Sequence, residues 1–422
     1  MKTQVLKYKS VLLCFFLYFS LGNVLRLIPM ASAVGSVNTI EIALHCYCLI
    51  VLILSLREAS KFPAALIVVY MCFFVSYMLG AVRVQEMDVI ALTYNIRILL
   101  FFTSSYVIGL SLYRIFHHNL TKLLHFHLSM FLFNVACAWI IYFVFPDSTK
   151  LWAFLASYGI TFNGDPHVHR LLGTLFDPNF LGNLLILPVL YCLYLYDTTQ
   201  KKRYLGVLTL LILAEFFTFS RSSLLGLSLG LILYFAPLVK RSLFALKVRK
   251  SLAYNLVILI LGLIGFLYFL PGEAQRIAER FIFVSQDNSA AQRVHDLALG
   301  LSLLTEGDIF VFGIGFNFFT YLGVTTSSLI DSSLLSMMVT LGVPVFCIVV
   351  GCLYYFFKTA ESPAAQDQLF FRGVFLNYIV VSLVISNVNN LLLYPFWVLC
   401  VFPIVCYFHL LKNERIDNAV CN

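Results

Sequence analysis

Charge is what this chain has least of. Only 11% of its 422 residues are Asp, Glu, Lys or Arg, against about 25% in a soluble globular domain. Hydrophobic residues make up 61% of it and the mean hydropathy is +0.92. That excludes a soluble fold, because a chain of this size must show much of its surface to water. The sequence also lacks a CxxC pair, a metal-ligand spacing, a Walker loop, a glycine-rich dinucleotide turn and a nucleophile elbow. Ten of its 11 cysteines fall inside apolar runs and Cys421 lies in the tail. Cys46 and Cys48 are too close for a metal knuckle, and no predicted external loop holds a cysteine. The cysteines therefore read as small hydrophobes, without structural disulfides. No long linker, low-complexity tract or internal repeat divides the chain, so residues 1–422 are expected to form a single integral membrane domain.

What the sequence does have is long apolar runs. A spanning helix needs about 20 apolar residues. Runs of that kind lie near 11–30, 39–56, 63–82, 89–112, 124–145, 178–196, 204–220, 222–239, 253–270, 332–357, 369–390 and 392–410. The expectation is an all-α, polytopic membrane protein of about 12 transmembrane helices. The 41 Phe and 23 Tyr suit packed helices with aromatic belts at the interfaces. Lys2, Lys7 and Lys9 before the first run look like a signal peptide, but Gly22-Asn23-Val24-Leu25-Arg26 is a poor cleavage site and more spans follow. A retained signal anchor is the expectation.

The net charge of +8 could point to nucleic acid, but its distribution points to membrane topology. With the N-terminus in the cytoplasm, alternate loops hold Arg57 and Lys61; Arg114 and Lys122; Lys201, Lys202 and Arg203; Lys240, Arg241, Lys247, Arg249 and Lys250; and Lys358. Lys412 and Arg415 follow in the tail. Some 18 of the 28 basic residues then lie inside, as the positive-inside rule requires. Both termini are expected in the cytoplasm of a bacterial inner-membrane protein. Two external segments stand out, a loop at 146–177 and a larger polar stretch at 271–331. In the second, Ile277, Phe281, Ile282 and Val284 form one helix-like pattern, and Val294, Leu297, Ala298, Leu301 and Leu304 another. Such helices are suited to lie on the membrane surface and roof a cavity.

Ten basic residues remain outside that pattern. Arg170, Arg221, Arg276, Arg280 and Arg293 all fall on the external, disfavoured side, joined by Lys150. Singly, each is explained by solvation or by an acid such as Glu273 or Glu279. As a group at a membrane surface they suit an anionic lipid head group, because guanidinium forks match phosphate oxygens. Asp177-Pro178-Asn179 has the composition of a helix cap, and Arg170, just upstream, is not needed for one. Arg221 sits in a hairpin with Glu215 within reach below it. Arg97 lies inside a span, where a charge faces a partner or a wet cavity. Arg372, near an inner end, is placed to snorkel. His167, His169 and His295 are external and offer possible bases, against the plainer reading of loop histidines. Glu306-Gly-Asp308 is a short acidic pair and a weak metal signal. Asn119-Leu-Thr121 matches a glycosylation sequon but falls in a cytoplasmic loop.

Three segments together resemble the bacterial O-antigen polymerase and O-antigen ligase superfamily. They are Gly173-Thr-Leu-Phe-Asp-Pro-Asn179 with its upstream arginine; Thr218-Phe-Ser-Arg-Ser-Ser-Leu-Leu-Gly226; and Gln292-Arg293 followed by Gly313-Ile-Gly315-Phe-Asn-Phe and Asp331-Ser-Ser-Leu-Leu-Ser-Met-Met-Val-Thr-Leu-Gly342. They cover about the middle 170 residues. The resemblance implies a GT-C-like, all-helical glycosyltransferase with a large periplasmic loop. It implies an undecaprenyl-diphosphate-linked glycan donor and acceptor, a flippase and a chain-length regulator as partners, and inverting transfer on the periplasmic side with neither metal nor cofactor. Arg170, Arg221 and Arg293 would hold the diphosphate, supported by Arg276 and Arg280, while Asp177, Asn179 and Arg97 are further candidates for binding the diphosphate or the glycan.

Ligases of the family carry a histidine just before the span that follows the large loop. Here that site reads Ile330-Asp331-Ser332-Ser333, which favours a polymerase or a related exopolysaccharide enzyme. The Arg-x10-Gly motif described for polymerases is not met: from Arg170 the closest candidate, Gly182, is one residue too far. The expected mechanism has arginines stabilising the departing diphosphate and a base accepting the proton of the attacking hydroxyl. Asp331 is the first candidate base, with Glu306, His167 and His169 as rivals, and Asp331 also suits a helix cap. Competing readings are the ligase, which transfers finished glycan to lipid A–core, and a transporter or flippase for lipid-linked glycan.

Overall fold

The computed structural model describes residues 2–25, 39–55, 61–117, 119–158, 167–244, 272, 275, 288–317, 321, 332–360, 365–387, 391, 392 and 394–420. All regular structure among them is helical, apart from one isolated bridge between Asp147 and Val168. Seven helices there are long and apolar enough to cross a membrane, or eight if one bent pair counts as a single span. Composition and fold together make this an all-α, multi-pass membrane protein.

The chain divides into two compact units. The first comprises Met1–Leu123, Arg293–Ala365 and Ser386–Asn422. Its helices are α1 (Lys2–Leu21), α2 (Thr39–Ile53), α3 (Ala64–Val84) and α4 (Val89–Phe116), then most of α10 (Asn288–Thr305), α11 (Gly307–Phe312), α12 (Ser333–Leu341), α13 (Val343–Thr359) and α16 (Pro395–Val420). The second unit comprises Leu124–Gln292 and Gln366–Ile385. It holds most of α5 (Leu120–Val144), then α6 (Ser148–Ser157), α7 (Pro178–Thr199), α8 (Arg203–Phe217) and α9 (Arg221–Phe244). It also takes most of α14 (Ala365–Phe370), which runs through a π-helical turn (Phe371–Phe375) into α15 (Leu376–Ile385).

In the first unit α4 and α16 pack closely because Gly109 presents no side chain. A Cβ there would lie 2.5 Å from that of Cys406 and 2.7 Å from the Pro403 carbonyl. Small residues at such contacts let helix backbones approach in a membrane. Tyr407 of α16 donates to the His117 carbonyl just beyond α4, and Phe102 meets Phe402 at 5.5 Å.

The segment 332–357 is not the single span that its hydropathy predicts. It breaks between α12 and α13 with a bend of 117°. Gly342 at the break has φ +76°, a conformation that favours glycine, and Pro344 lies in the first turn of α13, where its missing N–H costs nothing. The Gly313-Ile-Gly315 segment fills the bend. Ile314 N–H donates to Val339 O at 3.0 Å and Gly315 N–H to Thr340 O at 2.9 Å. Gly313 and Gly315 have φ +70° and +63°. Gly80 of α3 lets the Ile314 carbonyl seat against it, and Asn317 Nδ2 donates to Tyr77 O at 3.1 Å. These motif glycines are explained by backbone packing.

In the second unit α7 is buried along nearly its whole length, Leu181 to Tyr196. That is the pattern of a helix at the centre of a bundle. Gly182 faces Ser223, and Gly226 faces Ile186 and Ile385, so α9 sits close to both α7 and α15.

Other predicted spans are shorter than expected. α2 and α8 have 15 residues each, about 22 Å of helix against a hydrocarbon core of about 30 Å. The run 222–239 lies inside α9, whose apolar part is Arg221–Pro237. The predicted span 253–270 lies outside the described residues. Within 146–177 the structure has α6 and a short 3-10 turn, Gly173–Leu175. Within 271–331 the second amphipathic pattern falls on α10, with Val294, Leu297 and Leu301 exposed and Asp296 and Leu303 buried. The first pattern, with Arg276 and Arg280, lies outside the described residues, as does Asp331.

Candidate functional site

Two segments singled out in the sequence, some 40 positions apart, fold into one site in the second unit. Asp177 caps α7: its Oδ1 accepts from Asn179 N–H at 2.7 Å and Phe180 N–H at 3.2 Å, and Pro178 occupies the first turn. The chain reaches that cap through Gly173, at φ +64°, and Phe176, at φ +60°. Gly173 faces Asn134 of α5, which donates to Thr174 Oγ1 at 2.5 Å.

Arg170 ties this segment to the turn between α8 and α9. Its Nε donates to Thr218 O at 2.8 Å and its Nη2 to Asn179 Oδ1 at 3.0 Å. Its Nη1 lies 3.4 Å from His167 Nδ1. Next to it, Leu171 N–H donates to Phe217 O at 2.8 Å. The turn is built from hydroxyls. Thr218 Oγ1 donates to Glu215 O at 2.7 Å, Ser220 Oγ accepts from Ser223 N–H at 3.4 Å, and Ser223 Oγ donates to Ser220 O at 3.1 Å. Ser220 thereby caps α9, and Arg221 is that helix's first residue. Two arginines thus stand at a serine-capped helix N-terminus, whose N–H groups and dipole favour an anion.

Glu215 does not pair with Arg221, contrary to the expectation from their spacing. Its side chain is fully buried beneath the turn, beside the Ser223 hydroxyl, and it forms no ion pair among the described residues. The helical ends put Glu215 inside α8 and Arg221 at the head of α9, so they leave the turn in different directions. Sequence spacing showed their proximity and missed this divergence.

His167 touches the arginine, whereas His169, at φ +52°, is exposed. Both belong to the loop that the Asp147–Val168 bridge closes, in which His169 N–H donates to Pro146 O at 2.7 Å. Asp147 caps α6 through Thr149 N–H at 2.9 Å, and that bond holds its carboxyl below the usual range.

The remaining candidates belong to the first unit, except Arg372 in the second. Arg293 is half-buried in α10. His295 is exposed, 3.7 Å from the Asp296 carboxylate. Glu306 and Asp308 do not converge as a metal pair would. Asp308 Oδ2 meets Arg83 Nη2 at 2.9 Å, whereas Glu306 Oε2 accepts from the Tyr321 hydroxyl at 2.6 Å, a bond that raises the phenol's pKa. No group of three or more metal-ligating side chains occurs among the described residues. Arg372 is exposed on the π-helical turn.

Arg97, two turns into α4, has a partner that the sequence reading missed. Its Nε meets Glu41 Oε1 at 2.8 Å and its Nη2 meets Oε2 at 3.1 Å, a two-pronged ion pair. Tyr18 of α1 donates to Glu41 Oε2 at 3.1 Å, and His45 Nε2 lies 3.9 Å from Oε1. The guanidinium stands 5.2 Å over the Phe101 ring. A single acid and a single base in separate apolar runs were the available signal, because charges in membrane helices pair with one another. The pairing changes what Arg97 offers a ligand. At an effective dielectric of 20, a unit anion about 4 Å from a guanidinium gains about 4 kcal/mol, and a carboxylate about 7 Å from that anion takes back about 2 kcal/mol. Roughly half of the attraction for phosphate is cancelled.

Fold and side chains together define a multi-pass helical membrane protein with arginine-centred polar sites. No family model matches the chain, and no curated protein matches it.

Proposed function

We propose that the protein is a lipid-linked-donor glycosyltransferase of the O-antigen polymerase type. On this reading it joins undecaprenyl-diphosphate-linked repeat units into O-antigen, capsular or exopolysaccharide chains by inverting transfer on the periplasmic face of the inner membrane. The observation that carries it is the meeting of the Gly173–Asn179 and Thr218–Gly226 segments through Arg170, at the N-terminus of α9. A capped helix start with two arginines is suited to the oxygens of a diphosphate. It is suited equally to the charge that grows as the diphosphate leaves. Arg170, Arg221 and Arg293 are assigned to the diphosphate, with Arg276 and Arg280 in support and Asp177 and Asn179 holding the frame. Asp331 remains the proposed base, and His167, which touches Arg170, is its nearest rival. The ligase is the sister reading, disfavoured by Ile330-Asp331-Ser332 where a histidine is expected.

A transporter of lipid-linked glycan is favoured by one observation, the α12–α13 break, since discontinuous helices line transport sites. The test is deletion of the gene and resolution of the host's surface glycan by chain length. Complementation uses wild type and Arg170→Ala, Arg221→Ala and Arg293→Ala variants at equal protein level. A polymerase loses long chains while single repeat units still reach their carrier, and the arginine variants fail to restore them. Unattached long lipid-linked chains would mean a ligase, and repeat units held on the cytoplasmic face would mean a transporter.

A further inference from the structure

Arg97 is only partly used by Glu41. The carboxylate takes Nε and Nη2; Nη1 makes no hydrogen bond among the described residues, and 36% of the side chain stays accessible. A guanidinium edge does not face hydrocarbon without large cost. Glu41, Tyr18 and the Phe101 ring hold it in place, so it is not free to swing toward the surface. An edge left open at this depth calls for a polar partner. One helical turn earlier, half-buried Tyr94 stands beside it, stacked at 5.4 Å on Phe316, which in turn stacks at 5.9 Å on Phe73. Phe316 belongs to the Gly-Ile-Gly-Phe-Asn segment that fills the α12–α13 bend, so the aromatic wall rests on closely packed backbone.

We infer that the open edge of Arg97, with the Tyr94 ring beside it, binds the hydroxyl groups of an uncharged sugar and not a phosphate. The inference rests on the glycan-handling reading above and assigns to this site the sugar part of that substrate. An arginine fixed by its own carboxylate presents oriented N–H donors at little net charge. A sugar hydroxyl accepts such a donor and gains far less from a full positive charge than a diphosphate does. A pocket with an aromatic wall and a few convergent polar groups is the usual form of a small-molecule site.

The experiment uses the full chain in lipid nanodiscs and two probes. One is the oligosaccharide released by mild acid from the surface polysaccharide of cells that carry the gene, and the other is inorganic pyrophosphate. Wild type is expected to bind the oligosaccharide, and Arg97→Lys, which keeps the charge and loses the fork, to bind it at least about tenfold more weakly. Pyrophosphate is expected to bind wild type and Arg97→Lys equally. The double exchange Glu41→Arg with Arg97→Glu keeps an ion pair and removes the open edge. It should weaken sugar binding likewise while unfolding at the wild-type temperature. Sugar binding unchanged in both variants, pyrophosphate binding lost with Arg97→Lys, or a wild type that binds no sugar overturns the inference. A gene deletion that leaves chain length unaltered sinks the polymerase reading and leaves Arg97-dependent sugar binding standing.

Discussion

Arg97 and Arg170 are each fixed by several contacts, but with different chemistry. Arg97 is gripped by a carboxylate, which orients it and cancels much of its field. Arg170's contacts include a backbone carbonyl, an amide oxygen and an imidazole nitrogen, groups that orient a guanidinium and bear no formal negative charge themselves. The two units thus show two uses of one residue type. In the first, arginine and a buried acid lock three helices, α1, α2 and α4, together. In the second, arginine locks two loop segments at the head of α9.

The contrast can be broken from the Arg97 side with the largest effect. Glu41→Ala leaves a partly accessible guanidinium without its partner and is expected to cost about 3 kcal/mol, the low end for breaking a buried pair, read as a lower unfolding temperature of the purified protein. A loss no larger than that of a surface substitution would mean that the pair does not hold the unit. From the Arg170 side the expected losses are smaller. Gly182→Ala would place a Cβ 2.4 Å from Ser223 Oγ, and overpacking of this kind costs about 1–3 kcal/mol. Asn179→Ala removes one neutral acceptor from Arg170 and should cost about 1 kcal/mol, with chain-length activity falling further than stability. Equal falls in both would reduce Asn179 to a packing role.

The smallest expected effect sharpens the same region. Asp147 has its carboxyl held below the usual range by Thr149 N–H. Its capping contribution is therefore present above the ordinary carboxylate range and is lost as pH falls through the lowered value. Amide-exchange protection of α6 should drop over that acidic interval in wild type and lose this pH dependence in Asp147→Asn. An unchanged profile in the variant would exclude Asp147 as the source.

Much of the fold was legible in the sequence because hydropathy and charge asymmetry act locally. The long runs at 63–82, 89–112, 124–145, 178–196 and 392–410 each contain or overlap a long helix. The break at Gly342 was written in Gly-Val-Pro, but an apolar count reads through it, since those residues are no less apolar than their neighbours. α2 and α8 were overestimated because apolar turn residues, Leu54 after α2 and Phe219 after α8, extend the run after the helix has ended. At the candidate site the cap Asp177-Pro178-Asn179 was legible as local chemistry. The Arg170–Thr218 and Arg97–Glu41 bonds were not, since they join residues 48 and 56 positions apart and depend on which helices pack.

The most direct test of the account is elongation by the purified protein. Wild type and Arg170→Ala in nanodiscs are given the host's undecaprenyl-diphosphate-linked repeat unit, and the products are resolved by length. The account predicts a ladder of lengthening chains from wild type and single units alone from Arg170→Ala. A wild type that leaves the repeat unit unextended, or an Arg170→Ala protein that makes the same ladder, would contradict it.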